Sequence, residues 1–148
     1  MFLRFTIACL FLLFAACNRC IENCENGICQ KKNCVCDTWY EGNTCDRSSL
    51  EVFEKEYTGY LELNSDVVDT VSFHLKTSGN DPSKMMAEGL NLQLQFLDAS
   101  RFEIEPQIWR GHQVEGEGQM LINIVSMRFS YVDSSGLNEV LLEAKPTF

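Results

Sequence analysis

Residues 20–45 read CIENCENGICQKKNCVCDTWYEGNTC and contain six of the eight cysteines in this chain of 148 residues. The spacing of the six is C-x3-C-x4-C-x4-C-x-C-x8-C. An even number of cysteines in so short a segment is typical of a disulfide framework in an exported protein. The segment has few large apolar side chains, so it cannot fold on hydrophobic burial alone. Three bridges that each close a loop of about ten residues would stabilise it by roughly 2.5–3 kcal/mol apiece.

The second half of this segment has a recognisable pattern. Cys34-Val35-Cys36 is followed by Gly42 and Cys45, and this arrangement closely resembles the C-terminal half of an epidermal-growth-factor-like (EGF-like) module. Asn26-Gly27 is a strong two-residue turn signal and suits the small hairpin of such a module. The resemblance implies an EGF-like module over residues 20–46.

The spacing alone leaves the pairing of the six cysteines open. The resemblance implies bonds from the first to the third, the second to the fourth and the fifth to the sixth cysteine. These pairs are Cys20–Cys29, Cys24–Cys34 and Cys36–Cys45.

Two metal-based interpretations compete with the disulfides. Zinc is one, because Cys34 and Cys36 with their neighbours could supply thiolates, but structural zinc sites typically have paired cysteine knuckles that this spacing fits poorly. Calcium is the other, since some EGF-like modules bind it through acidic and amide residues just before the first cysteine. Here Asn18-Arg19 precedes that cysteine without a carboxylate. We therefore expect no metal and no cofactor.

Residues 1–16 predict a secretory signal peptide. A short basic start is followed by an almost wholly apolar run and two small residues, and the run is too short to span a membrane. Residues 13–17, LFAAC, resemble a bacterial lipobox, which implies that Cys17 is acylated and begins the mature chain, with residues 17–19 as the tether. The alternative is ordinary cleavage after Ala16, which would leave Cys17 as a free thiol beside six paired cysteines.

Residues 50–148 contain no cysteine and carry the whole net charge of −9. Seven basic residues stand there against 16 acidic ones, whereas residues 1–49 have five of each. A strongly acidic surface favours solubility and disfavours nucleic acid or anionic lipid as partners. About a hundred residues are enough for one modest core.

Alternation of apolar and polar residues dominates residues 51–148, as half-buried strands require. Pro106 is expected to end or offset one strand, Met85 to Glu88 to form at most one helical turn, and residues 98–100 to form a hairpin loop. Asp69 is a polar exception on an otherwise apolar face. The pattern predicts about six strands, in residues 57–63, 67–76, 90–96, 102–105, 121–132 and 139–145.

An antiparallel meander of this kind must close or double over to cover its apolar face, so residues 51–148 are expected to form a small barrel or a sandwich. An EGF-like module behind a lipobox and before such strands resembles the cell-envelope lipoproteins of Bacteroidetes-type bacteria. In those proteins the β region looks like an open, lipocalin-type half-barrel. The resemblance implies a lipid anchor outside the cytoplasm, at the outer membrane or the cell surface.

Residues able to carry catalysis are sparse. His74 and His112 are the two histidines, and neither has a histidine, cysteine or carboxylate at metal-ligand spacing. Glu115 and Glu117, on either side of Gly116, fit an acid/base pair, a cation site or a solvated loop. The chain has no nucleophile-elbow, phosphate-loop or zinc-protease motif. We therefore expect no catalytic residues and no enzyme activity.

One pair is a candidate for binding. Trp109 stands beside Arg110, and exposed tryptophan and arginine often anchor interfaces. A core tryptophan at the end of a strand is the alternative. The basic residues Arg101, Arg110 and Arg128 form no stripe along the acidic region, which again argues against nucleic acid.

Two functions remain open. As an interaction module, the β domain would be filled with its own side chains and would meet an envelope protein or a glycan through an edge or a loop face. As a lipocalin-like carrier, it would hold a small apolar ligand in its interior. Small barrels are normally filled by side chains, and EGF-like modules commonly serve as spacers. The sequence therefore favours a non-catalytic, lipid-anchored protein whose EGF-like spacer presents a β domain for interaction.

Overall fold

The structure is a computed structural model and describes Cys20, residues 23–79 and residues 81–147. The predicted signal peptide, the lipobox and Cys17 lie outside the described residues. The chain divides into two compact units between Ser48 and Ser49. The regular structure of both units is almost entirely antiparallel strand.

The first unit contains three disulfides and two short hairpins. The hairpins are β1 (Gly27–Gln30) with β2 (Asn33–Cys36), and β3 (Tyr40–Glu41) with β4 (Arg47–Ser48). The disulfides are Cys20–Cys29, Cys24–Cys34 and Cys36–Cys45. These are the pairs that the EGF-like resemblance implies.

The turn that closes the first hairpin is not the predicted one. Lys31 and Lys32 form it, with the positive φ angles (50° and 69°) that a tight two-residue hairpin turn needs. Asn26-Gly27 instead leads into β1. Gly27 is required there for space, because a Cβ on it would lie 2.9 Å from the Cα of Cys36.

The second unit is a closed antiparallel barrel of eight strands. Each strand pairs with the next along the chain, and the last pairs with the first to close the ring. The predicted all-β domain is therefore a small barrel, and not a sandwich. The strands are β5 (Glu56–Leu63), β6 (Asp66–Thr77), β7 (Lys84–Glu88), β8 (Leu92–Phe96), β9 (Arg101–Trp109), β10 (His112–Leu121), β11 (Ile124–Asp133) and β12 (Gly136–Pro146). A 3-10 helix, Glu51–Phe53, precedes them.

The barrel has two strands that the sequence pattern did not predict. β7 occupies the segment for which a helical turn was expected, and its five residues are too few for apolar periodicity to distinguish the two structures. β10 contains Gly116 and Gly118, and glycine has a low strand propensity. The prediction of about six strands is therefore wrong, because the barrel has eight.

Inward-facing side chains fill the barrel. Aromatic rings on neighbouring strands pack against each other in it, with 5.2 Å between the ring centroids of Phe96 and Phe102 and 5.5 Å between those of Tyr57 and Phe73. Small residues stand at other inward positions and make room for these rings. The largest fully buried side chains are Phe73, Phe96, Phe102, Phe129, Leu50, Leu61, Leu75, Met85, Leu92, Leu94, Ile104 and Met127.

Pro106 offsets its strand, as the sequence predicts, rather than ending it. It lies where the register between β9 and β10 shifts by one residue, opposite Glu115. Proline is tolerated at such a bulge because no ladder hydrogen bond is lost, and the bulge bends the strand that carries it.

The ladder between β8 and β9 ends just before this bulge. It contains two residue pairs, Gln95 with Glu103 and Phe96 with Phe102. Beyond them the side chain of Gln107 takes the place of a backbone partner. Its Oε1 accepts the N–H of Gln93 and its Nε2 donates to the carbonyl of Gln93, both at 2.8 Å. A side-chain amide therefore closes the barrel wall where the backbone ladder stops.

Candidate functional site

Trp109 and Arg110 lie at the barrel end that carries the β5–β6, β7–β8, β9–β10 and β11–β12 turns, which we call the turn end. Trp109 is only 5% exposed, and its ring packs edge-on against Phe129 with 5.0 Å between centroids. Trp109 is therefore a core tryptophan at the end of a strand, and not an exposed anchor.

Arg110 covers this tryptophan. Its guanidinium carbon lies 4.7 Å from the centroid of a Trp109 ring, and Nη2 lies 3.5 Å from Oδ2 of Asp69. Because Asp69 belongs to β6, which is not a neighbour of β9 or β10 in the barrel, this contact crosses the turn end. The polar exception on the apolar face of β6 thus has a structural reason: Asp69 sits at the rim and pairs with Arg110.

His112 belongs to the same cluster. It follows the two-residue turn Arg110-Gly111, and its ring stacks on Tyr131 with 4.6 Å between centroids. Tyr131 in turn lies 6.3 Å from Trp109. Among the described residues, packed aromatic rings and the Arg110–Asp69 ion pair therefore occupy the turn end, and His112 packs there against Tyr131.

The opposite end is closed by the segment that precedes β5. Leu50 is fully buried, and Phe53 of the 3-10 helix stacks on Phe96 with 6.0 Å between ring centroids. The hydroxyl of Tyr57 donates to the carbonyl of Phe53 at 3.2 Å. The two ends of the barrel are thus each covered by side chains of the unit itself.

The outer wall carries a depression that we call the trough. Its first arm crosses four strands, from β9 to β12, and encloses about 320 Å³. Its second arm runs along β9 and β10 and encloses about 530 Å³. Glu103 and Glu117 belong to both arms. Both depressions lie on the outside of the barrel and are open to solvent.

Two glycines form the floor of the trough. A Cβ on Gly116 would lie 2.6 Å from the Cβ of Phe129, and a Cβ on Gly118 would overlap the ring of Phe102. Both glycines therefore face inward, and the missing side chains let β10 pack directly against the ring of Phe102 and against the Cβ of Phe129. The outer surface of the barrel is therefore recessed along β10, and the side chains of the neighbouring strands project around this recess.

The charges along the trough are unevenly distributed. Glu105 and Glu115 line the second arm with the two shared glutamates, whereas arginines line the first arm. Register places Glu103 directly opposite Glu117, and Glu117 directly opposite Arg128. Like charges in directly opposed positions destabilise a sheet.

Some of these charges have partners elsewhere in the barrel. Lys84 lies 3.1 Å from Glu105, and Arg101 lies 2.7 Å from Asp98. Hydrogen bonds from the Ser100 N–H, the Arg101 side chain and the Ser100 hydroxyl hold the pKa of Asp98 far below its ordinary value. The described residues provide no ion pair for the other four trough charges, which are Glu103, Glu115, Glu117 and Arg128.

His74 has a partner that the sequence did not indicate. Its Nδ1 lies 3.5 Å from Oε1 of Glu56, directly across the β5–β6 ladder, and both side chains are well exposed. The nearby hydroxyl of Ser72 is 3.0 Å from that of Thr58.

The sulfurs of Cys20, Cys24 and Cys34 lie within 4.8 Å of one another. Each of them is bonded to another cysteine, so these atoms provide no thiolates for zinc. The cluster follows from the two adjacent disulfides.

Comparison with known proteins gives no match for this chain among family models, curated proteins or solved structures. Among the residues that the structure describes, no helix is long and apolar enough to cross a membrane.

The sequence indicates some of the residues of the trough, but it does not show that they come together. By sequence, three interpretations fit Glu115, Glu117 and the glycine between them: a cation site, an acid/base pair or a solvated loop. The structure places both glutamates on β10, so the loop interpretation is wrong. Their contact with Glu103 and Glu105 depends on the register of β9 against β10, including the bulge at Pro106, and no local pattern specifies that register.

Proposed function

We propose that this protein is a non-catalytic interaction module of the cell envelope, anchored through a lipid on Cys17, in which an EGF-like segment acts as the spacer for the β-barrel. The observation that carries the proposal is the filled interior of the barrel. A carrier of the lipocalin type needs an apolar cavity of several hundred cubic ångströms, or about 300 Å³ at the least.

The described inward-facing side chains occupy the interior of the barrel. Phe73, Phe96, Phe102 and Phe129 are fully buried in it together with aliphatic side chains and methionines from all eight strands. Its two ends are covered as well, one by the Trp109 cluster and the other by Leu50 and the 3-10 helix. Both arms of the trough lie on the outer wall.

Two further observations support the remaining parts of the proposal. The three disulfides join the first to the third, the second to the fourth and the fifth to the sixth cysteine of residues 20–45, which is the order expected of an EGF-like module. The sequence LFAAC at residues 13–17 supports acylation of Cys17.

An envelope protein is the partner class that the outer wall favours over a glycan. Sugar rings are commonly held by an open aromatic face together with polar side chains. Of the residues that line the trough, only Phe102 is aromatic, and it is fully buried under β10. The trough therefore presents mainly charged side chains to a partner.

Mass spectrometry of the membrane-extracted protein under native and denaturing conditions tests this proposal. A covalent acyl group on Cys17 adds to both masses, whereas a ligand held inside the barrel adds to the native mass alone. We expect acylated protein with equal native and denatured masses. A lipid that is retained only under native conditions would establish the carrier function instead, and an unmodified Cys17 at the N-terminus would refute the anchor.

A further inference from the structure

We infer that the trough on β9–β12 is a docking site for a short, extended polypeptide segment that carries lysine or arginine side chains. The inference rests on the proposed interaction function and identifies the surface and the partner chemistry. It is drawn from the shape of the trough, from its unbalanced charges and from its length.

The shape is built into the wall rather than left by a loose loop. Gly118 allows β10 to lie on the ring of Phe102, and Gly116 allows it to approach the Cβ of Phe129. Both glycines of the floor belong to a strand of the closed barrel. Such a floor holds its shape when the partner leaves, so binding requires little ordering of the barrel.

The charges of the trough oppose stability in the free protein. Glu103 and Glu117 face each other across the β9–β10 ladder, with Glu115 and Glu105 beside them. Among the described residues Lys84 forms the one ion pair of this group, and Arg128 stands opposite Glu117 on β11 beyond ion-pair distance. A lysine or arginine of a partner between Glu103 and Glu117 would remove the repulsion. Binding energy therefore comes from charges that are unfavourably placed in the free barrel.

The length of the first arm fits a short strand. Its lining residues reach from β9 to β12, which is three inter-strand spacings of about 4.8 Å, or about 14 Å in all. An extended chain rises about 3.3 Å per residue, so about four residues span it. Arg128, on β11 within this arm, can donate to a carbonyl or carboxylate of such a segment, because no carboxylate of the described residues lies within ion-pair distance of it.

Fluorescence anisotropy with a labelled peptide of alternating lysine and threonine tests the site on the full mature protein. The peptide of alternating glutamate and threonine is the reversed-charge probe. The informative variants are Glu103→Gln and Glu117→Gln. Glu139→Gln is the matched control, since it makes the same change of charge on an exposed residue of β12 outside the trough.

We expect each trough variant to weaken binding of the lysine peptide by about two- to fivefold, the range for one exposed ion pair, and the double variant by about tenfold. The control variant should bind like wild type, and the glutamate peptide should bind to none of them. Glu103→Gln should also unfold at the same or a higher temperature than wild type, because it removes the repulsion from Glu117 and its other cross-strand neighbour is the neutral Gln95. A glutamate with a merely structural role would lower that temperature.

Two results would overturn the inference. Equal loss of binding in Glu139→Gln would mean diffuse attraction to an acidic protein, without a site. Calcium binding in calorimetry that Glu103→Gln or Glu117→Gln abolishes would make the trough a cation site instead. Neither result bears on whether the barrel carries a lipid, which the comparison of native and denatured masses decides separately.

Discussion

The side-chain amide of Gln107 hydrogen-bonds both backbone groups of Gln93, accepting from the N–H and donating to the carbonyl at 2.8 Å each. The same Nε2 also lies 3.1 Å from the carbonyl of Glu105. Gln107 therefore supplies, from a side chain, the peptide group that the β8–β9 ladder lacks next to the bulge at Pro106.

Replacement of this amide should weaken the barrel. Gln107→Glu keeps the shape and the acceptor but cannot donate, so a carboxylate oxygen would face the carbonyl of Gln93. We expect a loss of about 1–3 kcal/mol in the free energy of unfolding, measured by urea denaturation. Gln113→Glu, on an exposed residue of β10, is the matched control and should change stability little. Equal stability of the two variants would show that the Gln107 side chain does not stabilise the junction between β8 and β9.

Gly118→Ala tests the floor of the trough. The new Cβ would overlap the Phe102 ring and approach the carbonyl oxygen of Ser126 to 2.6 Å, so we expect a destabilisation of about 1–3 kcal/mol from overpacking. Gly79→Ala is the control, because a Cβ there meets open space. Combining Gly118→Ala with Phe102→Leu should restore part of the loss. Strictly additive effects of the two substitutions would contradict the proposed contact between β10 and the ring.

Arg110→Gln tests the cover of the turn end. Loss of the cation–π contact and of the Asp69 ion pair should lower stability by about 1 kcal/mol, since both side chains are about half exposed. Trp109 should become more accessible to acrylamide in a Trp39→Phe background, which leaves it as the single tryptophan. Asp69→Asn should give a smaller change in quenching, because the arginine remains over the ring. Unchanged quenching in Arg110→Gln would show that Trp109 is shielded by other side chains.

Glu54 should make the barrel sensitive to acid. The hydroxyl and the backbone N–H of Thr77 donate to its Oε1, and these hydrogen bonds hold the pKa of the Glu54 carboxyl below its ordinary value of 4.5. Because the folded pKa is the lower one, this stabilisation is present above pH 4.5 and is lost as the pH falls through the folded pKa. Glu54→Gln should therefore reduce the acid-induced loss of stability in urea titrations. An identical pH profile for the two proteins would refute this role.

The all-β barrel could be predicted largely because its inward residues alternate with polar ones. Residues 90–96 are the clearest case, and Leu92, Leu94 and Phe96 are buried as that alternation requires. β7 and β10 were missed for two different reasons. Five residues do not establish a period, and glycines at two inward positions remove the apolar signal that defines a strand.

The site could be predicted less well than the fold, because it depends on pairing between distant strands. Trp109 and Arg110 were noticed as neighbours in sequence, but burial of the indole follows from Phe129 and Tyr131 on another strand. The sequence shows Asp69 only as a polar residue on an otherwise apolar face and does not indicate its ion pair with Arg110. The role of Gln107 depends on a one-residue bulge. Pro106 indicates that bulge in the sequence, but the sequence does not show that the side chain of Gln107 replaces the missing backbone hydrogen bonds.

Xenon binding tests most directly the central claim, that the barrel is filled and carries no ligand. NMR of the dissolved gas should show no saturable binding to wild-type protein. The Phe129→Ala variant, which removes a fully buried ring beside Trp109, should bind xenon in the resulting apolar cavity and thus prove that the measurement can detect one. Saturable xenon binding to the wild type, displaced by a fatty acid, would contradict the account and establish an apolar cavity in the barrel.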